Sequence, residues 1–317
     1  MIKKICMAGD SHTWGEGAAD YVFKKFSIPV CAGEKRLLPF SVPSFPTLLR
    51  NYINKKSGSE AAELSGSEIS RKYKIKNISE CACVCGELCI DAEFDFARVE
   101  LMRGSSECEI FCDEVMSFKY NADKSDEYEV LNIMPKKRAS NLRIKSSNAM
   151  VYRVEFYKGK YAVLNCGIGS CPSFRYTEEY LDKYVLSVKP SVVLTEIFTV
   201  NDWLSQKTPA ECEKSLVNFG ERVILGGAKL AFSSVIPILG NQTNEIGINY
   251  AEYIHAGERA AHALNVPYAD VYRAFSKEYD ETSKDSYYGG DCWHPGARGH
   301  EIYFEEIKKL DIISELC

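Results

Sequence analysis

The chain has 317 residues, 45% of them hydrophobic and 26% charged, with a formal net charge of -5. That is apolar material for one large cored domain or two smaller ones, and it excludes a disordered chain. The charge balance and the lack of a dense basic run argue against nucleic acid or an anionic membrane surface as partner. No segment reaches the roughly 18 apolar residues that a membrane-spanning helix needs.

The chain opens on "MIKKICMAGDSHTWGEGAAD", an apolar strand candidate that stops at Gly9, Asp10 and Ser11. Asp10 or Ser11 suits a helix N-cap, and a strand that delivers a serine to the rim of a sheet gives the same pattern. The apolar stretch behind Lys3 and Lys4 is too short for a secretory h-region, so the sequence as it stands is expected in the cytoplasm. Thirteen irregularly spaced cysteines suit that reducing compartment. A Pro-rich loop (Pro29, Pro39, Pro43) leads to a helix from Phe45 through "PTLLRNYINKK", with Pro46 in its first turn. The Ser/Gly-rich stretch "SGSEAAELSGSE" reads as a joint between domains.

From Leu64 to Gly159 short alternating runs, such as "IDAEFDFARVELM" and "MVYRVEFYKG", are broken by turn residues. That pattern predicts an inserted antiparallel β-sandwich over residues 64–159. Within it lies "CACVCGELC", which contains no C-x-x-C pair. On a strand Cys81, Cys83 and Cys85 share a face, where free cysteine packs as a small hydrophobe; that reading is preferred to a metal site.

After Tyr161 strands and helices alternate. Strand candidates are "YAVLNCGIG", "SVVLTEI", "KLAFSSVIP" and "VPYADVY"; helices are expected around "TEEYLDKYVLSV", "AECEKSLVNFGERVILGG", "EIGINYAEYIHAGERAAHAL" and "GARGHEIYFEEIKKL". This implies a parallel sheet covered on both faces, to which the opening strand also belongs. The expected α/β domain is therefore discontinuous, residues 1–63 and 160–317.

In such a sheet ligands bind at the carboxyl ends of the strands. Those ends carry Gly9-Asp10-Ser11, the small-residue loop "NCGIGSC", "FTVNDW" with Asn201 and Asp202, and, before the last helix, "GGDCWHPGARGH" with Asp291 and His294. The set suits acyl transfer. A serine hydroxyl needs a base, histidine is the usual one, and a carboxylate holds the imidazole in its productive tautomer. The developing oxyanion needs donors, for which the Ser11 amide, an amide near Gly169 or Ser170 and the Asn201 side chain are candidates. Asp10 is expected to brace its turn. Next to the nucleophile, His12 is a candidate cleft wall; Trp14 and Trp293 are candidates for an apolar or sugar-stacking rim, with core packing as the alternative. His255, His262 and His300 fall in helical patterns and are read as structural.

The chain resembles the SGNH hydrolases, the GDSL esterase/lipase group. "GDSHTWG" resembles their first block, with Ser11 as nucleophile; "VND" resembles the third, with Asn201; "DCWHP" matches the D-x-x-H-P of the fifth, with Asp291 and His294 as acid and base. The family's oxyanion glycine falls on Ser170, beside Gly169, and the glycine usual two residues before the block III asparagine is Thr199. The resemblance covers residues 1–56 and 161–317. It implies a flavodoxin-like, three-layer α/β hydrolase that needs no metal or organic cofactor. The expected reaction is hydrolysis of a short-chain ester, most simply acetyl, on a carbohydrate or glycoside. A broader lipase, thioesterase or arylesterase, an O-acyltransferase, and an inactive carbohydrate-binding module are the alternatives.

Overall fold

A computed structural model describes residues 1–18, 37–78, 80–102, 107–120 and 128–316. The described residues group into two compact units, one containing Asn54–Ala162 and the other most of the remainder.

The second unit is built on five strands: β1 (Lys3–Gly9) and, once the intervening strands β2–β9 have been passed, β10 (Tyr161–Gly167), β11 (Val192–Glu196), β12 (Lys229–Ser233) and β13 (Tyr268–Ala269). Their order across the sheet is β10-β1-β11-β12-β13, and the β1/β11, β11/β12 and β12/β13 pairs are parallel. With the insertion left out this is the 2-1-3-4-5 order of flavodoxin-like sheets. β10 is added on one side of β1 and β11 on the other, so the strand order reverses between β1 and β11, which places the ligand crevice beyond their carboxyl ends. Burial of every residue in β10 and β11 accounts for their largely apolar texture.

Helices cover the sheet where the periodicity predicts them. Phe45–Ser57 buries Phe45, Leu49 and Ile53. Pro209–Leu225 starts at a Thr208–Glu211 capping box, and Tyr250–Leu264 starts with Asn249 as N-cap. Ala297–Lys308 follows the Asp291–His294 loop. The segment "TEEYLDKYVLSV" is helical but wound with π-type turns over Tyr176–Val185. The strand expected in "VPYADVY" is only two residues long, because Asp270 accepts a hydrogen bond from the Arg273 amide and starts a helix over Val271–Glu278.

The first unit holds eight antiparallel strands: β2 (Glu60–Ser65), β3 (Asn77–Ile78), β4 (Cys81–Phe94), β5 (Phe96–Met102), β6 (Cys108–Cys112), β7 (Val115–Tyr120), β8 (Tyr128–Ile133) and β9 (Ala139–Lys158). They form one hydrogen-bonded sheet rather than two separate ones. The 20-residue β9 makes this possible. Along one of its edges it pairs with β4 and then β2, and along the other with β6 and then β5. Register shifts in the β4/β9, β5/β9 and β6/β7 pairings bend the sheet around one apolar core that includes Val84, Leu88, Ile90, Val99, Ile110, Ile144 and Val154.

Two expectations need correction. The Ser/Gly-rich stretch is no joint: Glu60–Ser65 is β2, paired with β9, and Ser65 forms a capping box with Glu68 for the helix Gly66–Tyr73. The cysteines of β4 also divide differently. Ala82, Val84, Leu88 and Ile90 face the core; Cys81 is buried, but Cys83 is only partly buried, and Cys85 and Cys89 are exposed. Period-two alternation from Ala82 to Ile90 puts the thiols of Cys83, Cys85 and Cys89 on the outer face. Among the described residues no group of three or more His, Cys, Asp or Glu is arranged to hold a metal ion.

Candidate active site

β1 ends in a turn that Asp10 fixes. Its Oδ1 accepts the His12 amide at 2.9 Å, and the short helix Ser11–Trp14 begins there. Ser11 is 5% exposed. The loop after β10 packs tightly on this turn: the Ile168 amide donates to the Gly9 carbonyl at 2.9 Å, and Asn165 Nδ2 donates to the Trp14 carbonyl at 3.0 Å. A Cβ on Gly167 would lie 2.2 Å from the Trp14 nitrogen, so only glycine permits the approach.

The C-terminal loop completes the arrangement. Ser11 Oγ lies 2.8 Å from His294 Nε2, and His294 Nδ1 lies 2.5 Å from Asp291 Oδ2. Asp291 Oδ1 also accepts the backbone amides of Trp293 at 3.0 Å and His294 at 2.9 Å, which locks the loop around its carboxylate. A carboxylate on Nδ1 selects the tautomer with the proton there and leaves the Nε2 lone pair toward the serine hydroxyl. Burial disfavours the charged imidazole, but the Asp291 hydrogen bond and the carboxylates of Glu16, Asp291 and Asp10 outweigh it and raise the His294 pKa. Burial alone would raise Asp291. Its bonds to the His294 ring and to the two amides prevail and hold it well below the usual carboxylate range.

Asn201 reaches the same edge from the helix Thr199–Leu204 that follows β11, and its Nδ2 donates to Asp10 Oδ2 at 2.7 Å. An amide nitrogen carries two hydrogens, so one N–H fixes the side chain while the second remains for an incoming oxygen. Gly169 and Ser170 form the turn after β10, with Ser170 in the left-handed region at φ 55°. Beneath the turn lies a residue that sequence reasoning missed. Glu196, at the end of β11, accepts the Asp10 amide at 2.6 Å and the Phe198 amide at 3.1 Å. Burial and then the Asp10 carboxylate push the Glu196 carboxyl well above its usual range. An acidic residue closing an otherwise apolar run, "SVVLTE", was the available signal.

The remaining candidates are placed as follows. His12 is fully buried, hydrogen-bonded through Nδ1 to the Tyr303 hydroxyl at 2.9 Å, with its ring 5.4 Å from that of His294; burial pulls its pKa down to about 3. It backs the site as a neutral ring. Trp14 is fully buried with Ala18, Leu38 and Val42, which is the packing alternative. Trp293 is partly buried and stands edge-to-face with Trp203, 5.7 Å between ring centroids. Asp202 turns inward and accepts the Ser173 amide at 2.7 Å; burial raises it to about 7. Glu16, a second residue missed from sequence, puts a carboxylate oxygen 3.5 Å from His294 Nε2.

No protein-family model and no curated protein sequence matches the chain. Solved structures do match. A peptidoglycan O-acetylesterase is 13% identical, with a TM-score of 0.55 over 99% of this chain and 91% of that one. An α/β hydrolase from the metagenome of Lake Arreo, Spain, is 12% identical, with a TM-score of 0.49 over 96% and 93%. An acetylxylan esterase from Geobacillus stearothermophilus is 18% identical, with a TM-score of 0.40 over 47% and 72%. The chain has the SGNH hydrolase fold. The likeness to the O-acetylesterase extends over the antiparallel sheet as well as the α/β unit, so the combination of both units is shared.

Proposed function

We infer that the protein is a serine esterase that hydrolyses a short-chain ester, most simply acetyl, on a carbohydrate or related glycoside through an acyl-Ser11 intermediate. The observation that carries this reading is the continuous chain of contacts Ser11 Oγ, His294 Nε2, His294 Nδ1, Asp291 Oδ2. In acylation His294 Nε2 takes the Ser11 proton as Oγ attacks the carbonyl carbon. The bond to the alcohol oxygen then breaks, and Nε2–H protonates that oxygen. Water repeats the sequence on the acyl-serine, releasing the carboxylic acid. The second N–H of Asn201, the Ser11 amide and an amide of the Gly169–Ser170 turn are the donors assigned to the oxyanion. No metal or organic cofactor enters any step.

The acetyl and carbohydrate parts rest on the shared fold with an enzyme that acts on O-acetylated peptidoglycan. The test is a panel of esters varied in acyl length and in alcohol, run on wild type and Ser11→Ala, with product analysis in the presence of a polyol. Ser11-dependent release of free acetate from sugar acetates supports the reading. Preference for long acyl chains or for thioesters makes it a different hydrolase, and acetylated polyol as the main product makes it a transferase.

A further inference from the structure

Glu16 occupies a place that the triad leaves unexplained. Its carboxylate is 3.5 Å from His294 Nε2, on the serine side of the imidazole and opposite the Asp291 contact. The residue is held there by its backbone. The Glu16 amide donates to the Ser11 carbonyl at 3.0 Å, and the Glu16 carbonyl lies 3.4 Å from Nε2 of the buried His300. The neighbouring Gly17, at φ 86°, packs on the catalytic loop so closely that a Cβ would sit 2.6 Å from the Pro295 carbonyl. His300 receives the Phe45 amide on Nδ1 at 3.3 Å, and burial pulls its pKa down to about 3, so its Nε2–H is the donor to Glu16. His300, read from the sequence as structural, thus anchors the backbone of Glu16.

Nε2 must protonate the leaving oxygen, so that oxygen comes within hydrogen-bond distance, about 3 Å, of the nitrogen that Glu16 also faces. Substituents one to three bonds beyond the ester oxygen therefore lie within a few ångströms of the Glu16 carboxylate. We propose that Glu16 reads the alcohol half of the ester, accepting a hydrogen bond from a hydroxyl or ammonium next to the ester oxygen and disfavouring alcohols that carry an anionic group there. The proposal rests on the esterase reading above. It names the leaving group as a neutral polyol or a cationic alcohol rather than a uronate, a hydroxy acid or a phosphate ester. Charge interactions at this range in a half-buried cleft are large enough for selectivity of roughly tenfold or more.

The test uses four acetyl esters on the full chain: acetylcholine, ethylene glycol monoacetate, acetoxyacetate and, as an uncharged control, p-nitrophenyl acetate. Each is run on wild type, Glu16→Gln and Ser11→Ala. Because the esters differ in intrinsic reactivity, the quantity read is the change in the kcat/KM ratio of acetylcholine to acetoxyacetate on going from wild type to Glu16→Gln. A fall of roughly tenfold or more, diminished by high salt, is expected.

The pH profile supplies a second readout. Among the described residues the groups facing His294 include Asp291 on Nδ1, Glu16 on Nε2, Asp10 through space and the neutral His12 ring. Removing the Glu16 charge should move the acidic limb to lower pH. A uniform loss on all four esters with the ratio unchanged, or no change at all, overturns the proposal while the esterase reading stands. Absence of Ser11-dependent turnover of any ester, the control included, overturns both.

Discussion

Ser11 and His294 are 283 positions apart in the chain, yet their side chains meet at 2.8 Å. Replacing Ser11 by alanine removes an oxygen from a turn at the sheet edge, not from the core. The variant should stay folded and retain only the background that binding and oxyanion donors provide, roughly 10³–10⁴ above the water reaction. Asp291→Asn should cost about 10⁴-fold in kcat, because an amide on Nδ1 favours the wrong tautomer. Circular dichroism and steady-state kinetics on both variants check this; near wild-type turnover in either removes the triad.

The base works only as neutral imidazole, so the rate must fall as pH drops through the His294 pKa. That pKa is raised from about 6.5 by its carboxylate neighbours despite burial. The acidic limb of kcat/KM should therefore have its midpoint above about 6.5. A midpoint at or below about 6 would contradict the stabilised imidazolium.

Asn201→Ala removes both the bond to Asp10 and the N–H assigned to the oxyanion. A loss of about 10²–10³ in kcat is expected, the usual cost of one oxyanion donor. Asn201→Asp, which retains the size but not the donors, should be as poor. A kcat within threefold of wild type in either variant would reassign the donor to the Gly169–Ser170 turn.

Glu196 bears on stability rather than chemistry. Its folded-state pKa is raised well above the usual 4.5, so between that value and the folded one the native state binds a proton that the unfolded state has lost. Stability must then fall as pH rises through this window. Glu196→Gln keeps a neutral, hydrogen-bonding side chain and removes the titration. Thermal melts from pH 4 upward should show a smaller decline in Tm for the variant than for wild type. Parallel curves would show that Glu196 is ionised in the native protein.

Much of the α/β unit was legible because its signals are local. The apolar runs of β1, β10 and β11 end in the residues that matter, and "DCWHP" carries acid and base three positions apart. What stayed hidden depends on packing between distant segments. β2 is short and Ser/Gly-flanked, and only its pairing with Arg153–Lys158 of β9 makes it a strand. The outward thiols of β4 are set by which face of the strand meets the core, a choice that period-two alternation alone leaves open. Glu196 and Glu16 are both acidic residues that acquire their roles from neighbours more than 180 and 270 positions away, Asp10 and His294. No spacing rule connects them.

The proposed nucleophile precedes the proposed base in the chain, which sets an order during synthesis. Ser11 leaves the ribosome 283 residues before His294, an interval of roughly 15–60 s at common elongation rates. Throughout that time the nascent chain carries a serine with no base to activate it. A protein cut short before Asp291 keeps all five strands of the parallel sheet and both ends of the antiparallel one, but not the acid or the base. The proposed hydrolysis thereby waits on the Asp291–His294 loop, and truncation ahead of that loop should silence it without removing a described strand.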